Sequence, residues 1–136
     1  MRIDRAITPP GLVKGAMCYS LFSTDKGLYI IKTGRGWRLN FNPKGGANQY
    51  AVNKVITNLQ GKVTATEKQL KESDLDDEVS TRKDSIFVSK QELSDMEVKS
   101  RYDGLPELKF KISNKKFRVQ FDKSQDDEVT AFAESL

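Results

Sequence analysis

Histidine is missing from all 136 residues, and cysteine occurs once, at Cys18. Without imidazole there is no His-dependent acid–base catalysis, no Ser-His-Asp nucleophile and no His-ligated metal site. One thiol can make no internal disulfide and cannot build a structural zinc site. Set in the β-rich run AMCYSLFS, Cys18 reads as a small buried residue. Long apolar runs are missing too: no stretch reaches the ~18 residues a membrane-spanning helix needs. The opening MRIDRAITPPGLVKGAMC is broken by charges and by Pro9-Pro10-Gly11, so it lacks the apolar core of a signal peptide. The expectation is a cytoplasmic protein, peripheral to a membrane at most. GKVT, at 61–64, lacks the upstream glycine and the strand–loop–helix setting of a phosphate loop. Nothing in the residues calls for a cofactor, a metal or a catalytic set, and a non-enzyme is expected.

Charge, by contrast, is plentiful and unevenly placed. Residues 1–64 hold ten Lys/Arg and two acids, 10 − 2 = +8; residues 65–136 hold thirteen and seventeen, 13 − 17 = −4. The sum is the net +4 of the chain. A basic half favours phosphate-bearing partners unless the fold interleaves the two halves.

The length suits one domain with a real core. Residues 16–23 and 28–33 read as strands flanking a turn at TDKG, and a short strand is expected at 37–41 before the breakers of NPKGGANQ. Residues 1–12 are taken as an N-terminal arm. From 47 to 72 the period changes. Val52, Ile56, Leu59, Val63, Thr66 and Leu70 recur at helical spacing, either as one long helix or as one ending near Leu59 with a further turn. The acids of ESDLDDE oppose a helix dipole at its C-terminal end, so the helix is expected to stop by Lys71. Strands follow at 85–89 and 93–101, then a turn at 103–106.

LKFKISNKKFRVQF, residues 108–121, is a hairpin by strict alternation. A turn at Asn114-Lys115 pairs Leu108 with Phe121, Phe110 with Val119 and Ile112 with Phe117, and sets Lys111 opposite Arg118. One face is apolar and the other basic. The chain closes on SQDDEVTAFAESL, with Ser124 as N-cap, acids in the first turn, and Val129, Phe132, Ala133 and Leu136 on one apolar face.

This pattern of Ile86–Val88, Leu93–Val98, the hairpin and a terminal helix after Phe121 resembles the bacterial pleckstrin-homology-like and GRAM-type domains. The resemblance implies an α+β fold: a bent antiparallel barrel of about seven strands, capped by the C-terminal amphipathic helix. Segment 47–78 would be a helical insertion within a single domain over 1–136. It also implies a non-catalytic adaptor that binds a protein partner or an anionic lipid headgroup. Lipid-binding members carry a basic cluster in the loop joining the first two strands. Here that loop, read as 24–27, offers only Lys26 beside Asp25.

The candidate anion-facing residues are Arg35, Arg38, Lys109, Lys111, Lys116 and Arg118. The first two lie in KTGRGWR, where Gly34 and Gly36 would let backbone amides approach an anion and Trp37 would cap the core. The bland alternatives are solvated strand faces and an ordinary connection. Two other readings stand beside the adaptor. Nucleic-acid binding is suggested by a pI of about 9.1, although KGLYIIK offers one aromatic where RNA-recognition strands have several. An assembly role would use helix 47–72 for docking.

Overall fold

The computed structural model describes residues 1–9, 15–37, 49–100 and 104–136, with backbone alone for 49–52. Seven strands form one antiparallel sheet: β1 (Arg2–Ile7), β2 (Met17–Ser23), β3 (Gly27–Arg35), β4 (Ile86–Ser89), β5 (Leu93–Ser100), β6 (Pro106–Ile112) and β7 (Lys115–Gln120). Their order is β4-β3-β2-β1-β7-β6-β5. Two meanders, β1 to β4 and β5 to β7, are therefore joined where β1 meets β7, through Ile7 opposite Gln120.

The edge strands β4 and β5 are consecutive in the chain, linked only by a 3₁₀ turn at Lys90–Glu92. A flat seven-stranded sheet would hold its edges about 29 Å apart, six spacings of ~4.8 Å. The four Cα steps from Ser89 to Leu93 reach about 14 Å at most. The sheet must therefore curl until its edges approach at that end. Among the described residues no ladder joins β4 to β5, so the expected seven-stranded bent sheet is present but the barrel is open.

The concave face holds the main core. Ile3, Ala6, Tyr19, Leu21, Leu28, Ile30, Val88, Leu108, Phe110, Val119 and Phe121 pack together there, joined by half-buried Met96 and Val98 of β5. In β1 a bulge between Ile3 and Ala6, with Arg5 at φ 61°, turns both residues inward. The helix α3 (Asp126–Glu134) plugs this face with Val129 and Phe132, both fully buried, and Ala133 and Leu136 pack beside them. That apolar stripe is the one its spacing announced. The cap differs: a 3₁₀ turn at Lys123–Gln125 precedes α3, and Asp122, not Ser124, closes a capping box with Gln125. Ser124 instead donates to Asp122 Oδ2 at 2.8 Å. The Gln125 side chain also donates to the Asp4 carbonyl at 2.8 Å, which serves a β1 backbone group where β7 has diverged.

The convex face is covered over β2 and β3. A single helix α1 (Gln49–Gln69) lays Val63 and Leu70 on it, and α2 (Leu75–Thr81) adds Leu75 and Val79. This is why β2 and β3 read as near-continuous apolar runs: both their faces are buried. Tyr29 of β3 donates to Asp76 Oδ1 at 2.6 Å, which pins α2 to the sheet.

Three expectations need correction. The first part of the arm drawn over 1–12 is β1, a central strand, so the turn at Lys26 joins the second and third strands. The acids of DLDDE do not end a helix. They open α2, where Asp74 accepts from the Asp77 amide and the negative charge suits the helix dipole. The hairpin turns at Ser113-Asn114, with φ of 48° and 72°, one residue earlier than expected. Turns of the I′ family need positive φ at both central residues, which Asn tolerates better than Lys. The pairs become Leu108 with Val119, Phe110 with Phe117 and Lys111 with Lys116. Paired positions now sum to 227 instead of 229, and a shift by two keeps every side chain on its face. The strand expected at 37–41 falls, after Trp37, outside the described residues.

Phe132 carries the seal of the concave face. Phe132→Ala is expected to lower stability by about 3–5 kcal/mol, read as a fall in the urea midpoint. An exposed control on the same helix, Thr130→Ala, should change it little.

Candidate basic surface

Lys109, Lys111, Lys116 and Arg118 come together as expected. They project from the convex side of β6 and β7 in two cross-strand pairs, Lys109 with Arg118 and Lys111 with Lys116. Opposed like charges repel by a few tenths of a kcal/mol. Acids on neighbouring strands offset this. Asp95 Oδ2 lies 3.1 Å from Lys111 Nζ, and the buried Glu107 Oε1 lies 4.0 Å from Arg118 Nε. Glu97 sits directly across from Lys109. Lys99 of β5 shares this side, 3.5 Å from Glu97 and across from Glu107, so five cations stand against three carboxylates, 5 − 3 = +2, a mixed surface rather than a strongly positive one.

Arg35 does not join this array. It is exposed at the end of β3, opposite Met17, with β2 and β1 between it and β7 in the sheet order. Arg38 lies outside the described residues. The two glycines of KTGRGWR have packing reasons. A Cβ on Gly34 would stand 3.1 Å from Val63 Cγ2 of α1. One on Gly36 would stand 2.7 Å from Ile7 Cγ2 and 2.9 Å from Ala16 Cβ. Close approach of α1 and of β1 therefore explains both without an anion. Trp37 is half-buried beside Ile7, Ala16, Cys18 and Val63, the partial cap expected of it.

The basic half of the sequence is not a basic half of the surface. Arg2 Nη1 meets Glu72 at 2.8 Å, Arg5 Nε meets Glu67 at 3.9 Å and Lys32 Nζ meets Asp84 at 3.2 Å. Each pair joins a cation from the first half to an acid from the second.

One residue escaped the sequence reading. Glu67 lies on the α1 face of Val63 and Leu70, is 8% exposed, and its Oε2 is buried without a hydrogen-bond partner. The stripe was read through Thr66 at that turn, but Glu67, four residues after Val63 and three before Leu70, is the one buried, and its spacing was the available signal. Burial, and next the neighbouring Asp4, push its carboxyl above the ordinary 4.5, while Arg5 and Arg2 oppose them.

Among the described residues no cluster of His, Cys, Asp or Glu could hold a metal ion, and no helix is long and apolar enough to cross a membrane. Apolar side chains are exposed at Ile86 and Phe87 on the edge strand β4, where Phe87 packs 4.6 Å from the Tyr29 ring, and at Val55 on α1. A small cleft of ≈ 280 Å³ lies between β5 and the end of the chain, lined by Leu93, Met96 and Leu136 among others. The chain matches no protein-family model, no curated protein and no solved structure.

Two outcomes follow from the buried groups. Cys18 is fully buried, and desolvation pushes its thiol up to about 12, against a lowering hydrogen bond to Thr33. Iodoacetamide at neutral pH should leave it unlabelled in the folded protein and label it once urea unfolds the chain. Glu67→Gln should raise stability by about 1 kcal/mol at pH 7. The Glu67 carboxyl binds its proton more tightly folded than unfolded, so its penalty is absent below 4.5, where both states are protonated, and grows as pH rises through the folded value. The gain from the substitution should therefore vanish towards pH 4 in urea titrations.

Proposed function

We propose that the protein is a non-catalytic adaptor of the pleckstrin-homology-like kind, working in the cytoplasm, that docks a protein partner through the convex face of the β6–β7 hairpin. What supports the fold half of this reading is the pair of meanders joined at β1 and β7, with an amphipathic C-terminal helix in the concave face. What supports the binding half is one observation: four cations stand as two adjacent cross-strand pairs on a single rigid hairpin. Keeping like charges opposed on a strand pair costs stability, and an incoming acidic group would relieve it.

The acids woven among the cations favour a protein surface of mixed charge over a bare anionic membrane. A headgroup layer would attract the net +2 only weakly, and Asp95, Glu97 and Glu107 would face it too. Lys111 and Arg118 face Asp95 and Glu107 within 4.0 Å, while Glu97, across from Lys109, lies 3.5 Å from Lys99, so Lys109 and Lys116 are the better residues to change.

The double variant Lys109→Gln/Lys116→Glu is expected to fold as the wild type by circular dichroism. It should lose about fivefold or more of the partner recovered in quantitative pull-downs, equivalent to ~1 kcal/mol or more. Equal recovery would leave the hairpin face as a solvated edge. Sedimentation with phosphatidylserine vesicles by the wild type alone would reassign the surface to membranes.

A further inference from the structure

Away from the hairpin, a cleft of ≈ 400 Å³ opens where the β1 bulge, the C-terminal half of α1 and the start of α3 meet. Its walls carry four carboxylates, Asp4, Glu67, Asp122 and Glu128, against the guanidinium groups of Arg2 and Arg5, leaving two negative charges in excess. Arg2 is fully engaged. Its Nε meets Asp4 at 2.9 Å, its Nη1 meets Glu72 at 2.8 Å, and its Nη2 donates to the Glu67 carbonyl at 2.9 Å. Arg5 is half-exposed on its bulge, and at 3.9 Å from Glu67 Oε1 it makes an ion pair too long for a hydrogen bond. Among the described residues Glu67 Oε2 has no donor, although the residue is more than nine-tenths buried.

Buried carboxylate oxygens in folded proteins are ordinarily satisfied, because an unpaired one forfeits its hydration without replacement. Here the chain supplies a deep acceptor, an acidic surround and one loosely held arginine in front of it. The cleft differs from the basic hairpin in both place and sign. We propose that it is a binding site for a cationic side chain, a guanidinium or primary ammonium group presented by a peptide. Glu67 is the buried acceptor, and Asp122 and Glu128 attract the charge at the rim. The incoming donor replaces the long Arg5 contact with a charge-assisted hydrogen bond, and Arg5 moves out into solvent. Burial, and next Asp4, displace the Glu67 carboxyl upward even though Arg5 and Arg2 oppose them, as expected of an acid whose counter-charge is held too far away.

The experiment is an amide NMR titration of the full chain with acetyl-Gly-Arg-Gly-amide, with acetyl-Gly-Gly-Gly-amide and sodium phosphate as controls. The arginine peptide should give saturable shifts at Asp4, Glu67 and Gln125, while neither control should. Glu67→Gln, which keeps shape and removes charge, should weaken binding by about tenfold or more, near 1.4 kcal/mol. Glu128→Lys, on an exposed position that leaves the core untouched, should weaken it in the same direction. The proposal fails if the arginine peptide gives no saturable shift up to about 10 mM. It also fails if the neutral peptide or phosphate binds equally, or if both variants bind as the wild type does.

Discussion

Three residues, Lys90–Glu92, tie together the two edges of a seven-stranded sheet, and most of the architecture is a consequence of that short tether. It forbids a flat sheet and so creates a concave face. That face collects apolar side chains from every strand, and one helix is enough to fill what remains. The tether is itself well held. Ser89 and Glu92 close a capping box, and the Ser113 amide and hydroxyl of the hairpin turn bond to Glu92. Hydrogen bonds from the Ser89 backbone, then from the Ser89 and Ser113 hydroxyls, hold the Glu92 carboxyl below its ordinary range. The curl of the sheet and the turn of the hairpin are thereby fastened to one carboxylate.

The same curl decides which faces of the sheet are available to other molecules. β2 and β3 are buried on both sides, inside by the core and outside by α1 and α2. Among the described residues no helix covers the convex side of β6 and β7 around Lys109, Lys111, Lys116 and Arg118, although Glu107 and Gln120 at the far end of that side are buried. Opposite signs of charge are thus sorted to two places: cations on the hairpin, and excess carboxylates in the cleft beside α3. Neither follows from the net charge of the chain, because the pairs Arg2–Glu72, Arg5–Glu67 and Lys32–Asp84 mix the two halves of the sequence.

Periodicity was legible wherever one face of an element is buried. The stripe Val129, Phe132, Ala133, Leu136 and the alternation from Leu108 to Phe121 both reached the right element and the right face. What failed was local and depended on partners far away in the chain. The turn at Ser113-Asn114 is favoured by Glu92, twenty-one residues earlier, which no reading of the hairpin alone would find. β1 was missed because RIDRAI alternates poorly, and it does so because the Arg5 bulge breaks its period. Gly34 and Gly36 were open to two readings, an approach for an anion or an ordinary connection, and the close approach of α1 and β1, which gives both a packing reason, is a contact between distant parts of the chain. Of the six candidate cations, the four on one hairpin were found because adjacency within a hairpin is a local property. Whether Arg35 lies near them is a matter of strand order, and strand order is not written locally.

The pairing of Ile7 with Gln120 and the bond from Gln125 to the Asp4 carbonyl span more than a hundred residues. An early strand waits for a late one. β1 to β4 can associate as a meander on their own, but their inner side stays wet until α3 has docked on it. Closing so distant a contact is slow compared with local hairpin formation. Completion of this fold therefore needs β7 and α3 in place, and any chain that lacks them carries an unsealed hydrophobic surface.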